Sequence, residues 1–457
     1  MEDLLIKAVR RLGVATSQEL QRELGISQPT FSRLALRAAG QIAVLGRGRS
    51  TRYSLPRNVR GLGSEFPVLE IDANGNASQI TRLRPIEGGR WWGRDPITRE
   101  ERLFGGFPYF LSDMRPQGFM GRAFPRRFAE LELPERVADW SDDDVLLALA
   151  RRGEDGMGNL IVGAESSQRY LQSLTSPPEV ETNRLVAYPR FADCAMAGAP
   201  AGSSAGGEQP KFTALVAEDG PPRHVLVKFS PKPDSPADVR WIDLLFSEEL
   251  ALHVLREAGM DAVAATAVEA GGRAFLEIDR FDRAGLRGRV GTISLGAFDD
   301  EFYGRRDNWT AAAARMERDR WLDREEAGRL RFLDAFGALI GNSDRHFGNI
   351  TLFPKNGGVA LAPAYDVLPM HYAPISGQIV ERDFSLPMPH SEALSEWKAA
   401  LPLAEQFWSL VAGDPRISDS FRTIAGRNAS IIAAGRPIAR SLPDTPAGPA
   451  PSRGSRP

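Results

Sequence analysis

The chain has 457 residues, 42% apolar and 25% charged, the balance of an ordinary soluble globular protein, and its length suggests about three folding units at ~150 residues each. A single cysteine, Cys194, excludes an internal disulfide framework, and the five histidines show no zinc-like spacing. The net charge of −2 hides an asymmetry: residues 1–60 carry eleven Lys/Arg against four Asp/Glu, so a basic end precedes an acidic remainder.

Met1-Glu2-Asp3 opens without the basic and apolar regions of a signal peptide. No apolar run reaches the ~18 residues that span a bilayer, so the chain is expected to be cytoplasmic. Residues 3–12 place Leu4, Leu5, Ala8, Val9 and Leu12 at helical spacing. Thr16 or Ser17 can cap a second helix through Leu24, and Gly25-Ile26 is a tight break. Ser27 then caps a third helix, with Pro29 in its first turn and Phe31, Leu34, Ala35 and Ala38 on one face. Gln28, Thr30, Ser32, Arg33 and Arg37 are left for the other faces. Strands at 42–45 and 53–55 flank a basic tip carrying Arg47, Arg49 and Arg52. Three helices and a basic hairpin make a winged helix-turn-helix over 1–58. Its third helix would enter a major groove while the wing arginines meet phosphate.

Residues 59–182 read as mixed: a strand at 66–72, a turn at Asn74-Gly75-Asn76, aromatic and Gly-rich stretches, and a helix at 142–152 capped by Ser141. Arg94, Arg115 and Arg122 read as solvated surface. Residues 183–283 read as strands and turns around one helix, 284–436 as mostly helical, and 437–457 as a disordered Pro/Gly/Ser-rich tail.

The chemistry concentrates after an apolar helix at 332–340. Asp344 and Asn349 lie five apart in a polar loop. A strand, the turn Pro354-Lys355-Asn356-Gly357-Gly358 and a second strand then deliver Asp366. Phosphoryl transfer needs such a set: one carboxylate to orient a hydroxyl and take its proton, an amide oxygen and a second carboxylate to hold Mg2+. Protein kinases use the same separation and the same hairpin. Upstream, Ser203–Lys211 is a small-residue turn ahead of the strand His224–Phe229, which ends on Lys228, placed as a strand lysine that meets phosphates. A buried Lys needs an acid, and the helix at 237–258 offers Glu248 and Glu249; periodicity does not separate them.

Five motifs occur in order: Ser204-Ala205-Gly206-Gly207-Glu208-Gln209-Pro210-Lys211, Val227-Lys228-Phe229, Asp279-Arg280-Phe281-Asp282-Arg283, Asn342–Asn349, and Leu361–Val367. Together they resemble the HipA family of serine/threonine kinases, toxins of bacterial toxin–antitoxin pairs, over about two-thirds of the chain. The fused head resembles the HipH (YjjJ-type) branch, since typical members leave DNA binding to a separate antitoxin. The resemblance implies an α+β, two-lobed protein-kinase-like fold with a mixed β N-lobe (183–283) and a helical C-lobe. It implies Asp344 as catalytic carboxylate with Lys228 and His346 beside it, and Asn349 and Asp366 as Mg2+ ligands. Ser204, Gly206, Gly207, Gln209, Lys211, Lys228, Glu248, Asp279 and Phe281 would surround ATP, and Ser204 would be the autophosphorylation candidate. Asp279 stands where relatives usually carry Glu, and Glu208 puts an acid in the phosphate loop.

The expected cofactors are therefore ATP and Mg2+. The expected partners are DNA at the head, a protein substrate of the translation-factor class, an antitoxin, and a second copy, because winged helices often pair on palindromic sites. Two other readings stay open on the residues: a transcriptional regulator whose kinase-like body senses a nucleotide, and a metal-dependent DNase fed by the head.

Overall fold

In the computed structural model, residues 1–48, 51–198, 209–218 and 220–442 are described, and they form the α+β structure expected. The chain divides into two compact units. The first comprises Met1–Val227, Asp279–Arg305 and Thr351–Ala362; the second comprises Lys228–Ile278, Arg306–Ile350 and Pro363–Pro457.

The first unit begins with helices α1 (Glu2–Leu12), α2 (Ser17–Leu24) and α3 (Gln28–Arg37). Strands β1 (Ala15–Thr16), β3 (Arg52–Ser54) and β2 (Ala43–Leu45) form a sheet in that order. Thr16 starts α2 with a capping box. Its hydroxyl accepts the Glu19 N–H at 3.2 Å, and the Glu19 carboxylate accepts the Thr16 N–H at 2.7 Å. Gly25, at φ 64°, takes the left-handed turn that ends α2. Ser27 precedes α3 as expected, but its hydroxyl pairs with Thr30 Oγ1 at 3.1 Å and leaves the helix N–H groups uncapped. Leu5, Val9, Leu20, Phe31, Leu34 and Ala38 make the core, closed by Tyr53 edge-on to Phe31 at 5.1 Å.

Next comes an antiparallel sheet ordered β7-β6-β5-β4-β8. Its strands are β4 (Phe66–Ile71), β5 (Ala77–Ile86), β6 (Arg90–Arg94), β7 (Glu101–Phe104) and β8 (Leu160–Val162). The turn after β4 is closed by Asp72, whose carboxylate accepts the Asn74 and Asn76 N–H groups, each at 2.8 Å. Ser141 caps Asp142–Arg152 with a second capping box, at the residue expected. The head is docked on this sheet. Leu45, Ile86 and Trp92 share one buried cluster with Val14, Ala43 and Leu103. Arg57 N–H donates to the Pro85 carbonyl and Glu87 N–H to the Leu55 carbonyl, each at 3.0 Å. Ion pairs Arg57–Asp143, Arg60–Asp144 and Arg10–Glu87 rim the contact.

In the segment read as strands and turns around one helix, Arg184–Gly198 is a further helix, with Pro189 inside it. The internal proline, which removes a helical hydrogen bond, hid it. The strands Lys211–Val216 and Arg223–Phe229 follow, the last two residues of the latter belonging to the second unit. A three-stranded antiparallel sheet of Ile293–Ser294, Thr351–Lys355 and Gly358–Leu361 completes the first unit.

The second unit holds a long helix, Pro236–Glu257, and an antiparallel hairpin in which Ala265 pairs with Ile278 and Ala270 with Arg273. Its remaining main elements are helices: Trp309–Arg318, Arg324–Leu339, Leu394–Gly413, Asp419–Ala433 and Arg436–Ser441. Asn308, Asp323 and Ser418 cap three of them through their side chains. The last helix occupies residues assigned on composition to the disordered tail; the remainder of that tail, from 443, lies outside the described residues. Among the described residues, no helix is long and apolar enough to cross a membrane.

Candidate active site

The second unit gathers six of the side chains singled out by the sequence. Lys228 lies at the end of its strand, 2% exposed. Its ammonium donates to both oxygens of Glu248, each at 2.7 Å, and to the Asp366 carboxylate. Glu248 is fully buried on the helix Pro236–Glu257. Its neighbour Glu249, about 100° round the helix, turns elsewhere, accepting the Ala267 N–H at 2.7 Å and pairing with Arg416 at 2.8 Å. Burial pushes the Lys228 pKa down, but the Asp366 and Glu248 carboxylates outweigh it and hold the ammonium well above its ordinary value.

Asp344 sits on the polar loop after the helix Arg324–Leu339, half exposed. Burial raises its pKa first; His346 opposes the rise and the Asp366 carboxylate adds to it. A carboxylate lifted in this way is a better proton acceptor than a free one. His346 Nδ1 accepts the Gly348 N–H at 3.0 Å, and its Nε2 lies 3.8 Å from Asp344 Oδ1.

Asn349 Nδ2 donates to the Asp344 carbonyl at 2.9 Å, so its Oδ1 is the atom suited to a cation. Asp366, at φ 56°, adopts the left-handed backbone that non-glycine residues seldom take. One amide oxygen and one carboxylate are hard oxygen donors that fit Mg2+, which usually takes its remaining ligands from water and phosphate. Among the described residues no group of three or more His, Cys, Asp or Glu could hold a metal.

A cavity of about 600 Å3 opens beside Asp344. Its walls are Arg306–Asn308 on one side and Ser343–Phe347 on the other. Trp309 Nε1 donates to the His346 carbonyl at 3.2 Å and ties the two walls together.

Other nominated residues belong to the first unit. Asp279 pairs with Arg223, Phe281 lies edge-on to Phe353 at 5.8 Å, and Gln209 and Lys211 stand at the start of a strand. Directly after Phe281 in sequence, Asp282 is buried, accepting from Arg280 and Arg283 at 2.8 and 2.7 Å and from the Gly158 N–H at 3.0 Å. Burial raises its pKa, and the two guanidinium groups and that N–H more than reverse the effect, holding it at about 2. Ser204, Gly206, Gly207 and Arg49 lie outside the described residues.

On the head, Gln28, Ser32, Arg33 and Arg37 of α3 are exposed and Thr30 is half-buried; Arg47 and Arg52 of the wing are exposed. Arg10, Arg57 and Arg60 are engaged by acids of the neighbouring sheet region, so the basic surplus is not all available to a polyanion.

The family described as YjjJ-like toxin, middle domain, matches residues 62–171, and that described as HipA-like C-terminal domain matches 203–422. Toxin YjjJ of Escherichia coli (strain K12) is 38% identical over 432 residues, covering 93% of this chain and 95% of that protein. The chain belongs to the YjjJ-like toxin family. Solved structures similar to it include a chain of the Shewanella oneidensis MR-1 toxin–antitoxin complex of HipA, HipB and operator DNA. That match has 13% identity and a TM-score of 0.49, and covers 80% of this chain and 96% of that one. The Helicobacter pylori proinflammatory kinase CtkA matches at 15% identity and a TM-score of 0.35, over 51% of this chain and 91% of that one.

Sequence reasoning named Asn342 only as the first residue of the Asn342–Asn349 motif, with no separate part, and did not single out Asp334, Thr310 or Trp309, although Asp334 is an acid set in the apolar run of its helix.

Proposed function

We propose that this YjjJ-like protein is an ATP- and Mg2+-dependent serine/threonine protein kinase of the HipA toxin type, carrying its own DNA-binding head. One observation carries the reading: a buried Lys228 stands between Glu248 and Asp366, while Asp344 lies on a loop tied to Asn349. The nuclease reading gives no part to the Lys228–Glu248 pair.

In this reading Lys228 neutralises phosphate charge and Glu248 orients it. Asp344 accepts the proton of a Ser/Thr hydroxyl seated in the cavity, and the oxygen attacks the γ-phosphorus as the bond to ADP breaks. Asn349 and Asp366 would hold Mg2+, which when bound screens the phosphate oxygens. The head would hold the protein at DNA through α3 and the wing.

The test is incubation of the full chain with ATP and Mg2+, followed by intact-mass and peptide mass spectrometry. A gain of one phosphate on the protein or on an added acceptor is expected, with Ser204 the first residue to inspect. Asp344→Asn and Asp366→Asn should abolish it. A native protein that transfers no more phosphate than these variants removes the kinase reading.

A further inference from the structure

Asn342 is 1% exposed and follows Gly341, whose φ of 73° turns the chain out of the helix. Its side chain joins two segments. Oδ1 accepts the Asp344 N–H at 3.0 Å, and Nδ2 donates to the Asp366 carbonyl at 3.3 Å. Only a group with an acceptor and a donor on one short stem satisfies both. Its main chain is held from behind. The Asn342 N–H donates to the Gly337 carbonyl at 2.8 Å, and the Asn342 carbonyl accepts from Arg345 Nη1. Arg345 Nε donates to buried Asp334 at 3.0 Å, and Asp334 accepts the Thr310 N–H and hydroxyl at 3.1 and 2.8 Å. The arginine passes so close to Gly337 that a Cβ there would lie 2.7 Å from Arg345 Cδ.

These bonds reach no reacting atom. They fix the main chain of the two residues whose carboxylates the phosphotransfer reading uses. Resting on that reading, we infer that Asn342 is a positioning residue that sets the spacing of Asp344 and Asp366, with the Arg345–Asp334 pair anchoring it. Asn342→Asp keeps the acceptor for the Asp344 N–H but sets a carboxylate oxygen against the Asp366 carbonyl. A misplacement of about 1 Å at a reacting centre costs about 100-fold in rate.

The experiment measures [γ-32P]ATP transfer to dephosphorylated casein by the full chain, with kcat and the KM for ATP separated, beside thermal unfolding. Asn342→Asp is expected to lower kcat about 100-fold while KM for ATP stays within about threefold. Arg345→Lys, which retains the charge but cannot reach both Asp334 and the Asn342 carbonyl, should lower kcat about 10-fold with the same split. A folded Asn342→Asp protein with native kcat, or one whose KM rises as kcat falls, overturns the inference. If Asn342→Asp does not fold, Arg345→Lys decides alone, and a native kcat there overturns it. A wild-type chain that transfers no phosphate removes the kinase reading itself, and this inference with it.

Discussion

Replacing Lys228 by Met probes the buried ion cluster most directly. The substitution keeps a chain of similar length but removes the ammonium that contacts both Glu248 oxygens and Asp366. Glu248 is 0% exposed and cannot turn to water, whereas the Asp366 side chain is 29% exposed and can. Removing one partner of a buried pair costs about 3–5 kcal/mol, while replacing both by apolar groups is often close to neutral. Lys228→Met alone should therefore destabilise by about 3–5 kcal/mol. At about 2–4 °C per kcal/mol for a domain of this general size, the melting point should fall by roughly 6–20 °C. The double variant Lys228→Met/Glu248→Leu should recover most of that loss while still transferring no phosphate. Urea unfolding followed by far-ultraviolet circular dichroism measures both. A single variant within about 1 kcal/mol of native, or a double variant no more stable than the single, would refute the electrostatic account of this cluster.

Two further outcomes are expected. DNA affinity should fall with salt along a slope set by Arg33, Arg37, Arg47 and Arg52. At about 0.9 per phosphate contact the log–log slope is about −4, or about 100-fold between 50 and 200 mM salt; a flat titration by fluorescence anisotropy contradicts a DNA-binding head. Asp282, whose folded pKa of about 2 lies below its ordinary 3.8, contributes stability that is fully present above about pH 4 and is lost as pH falls through about 2. The difference amounts to about 2 kcal/mol, and an Asp282→Asn protein whose acid unfolding curve matches the native one would show that the Arg280–Asp282–Arg283 cluster does not supply it.

Much of this protein was legible in its residues because the signals were local. Caps, glycine turns and apolar spacing place α1, α2, α3, the 142–152 helix and the hairpin after Asn349 within a few residues of their observed bounds. The five motifs name the family, and they nominate Lys228, Asp344, Asn349 and Asp366 by type and spacing alone. Tertiary structure decided what local signals do not encode. Glu248 and Glu249 are adjacent and alike; only the facing of one helix separates the buried partner of Lys228 from a residue that pairs with Arg416. The surplus charge of the head is a sum over residues, but Arg10, Arg57 and Arg60 are committed to acids distant in sequence, which only docking on the neighbouring sheet could determine. Asn342 opens a motif that the sequence marks, but its part is not legible until the fold brings the Asp344 N–H and the Asp366 carbonyl within reach of a single amide. A hydrogen bond depends on where two groups stand in space, and sequence spacing records that only when the partners share one turn of chain.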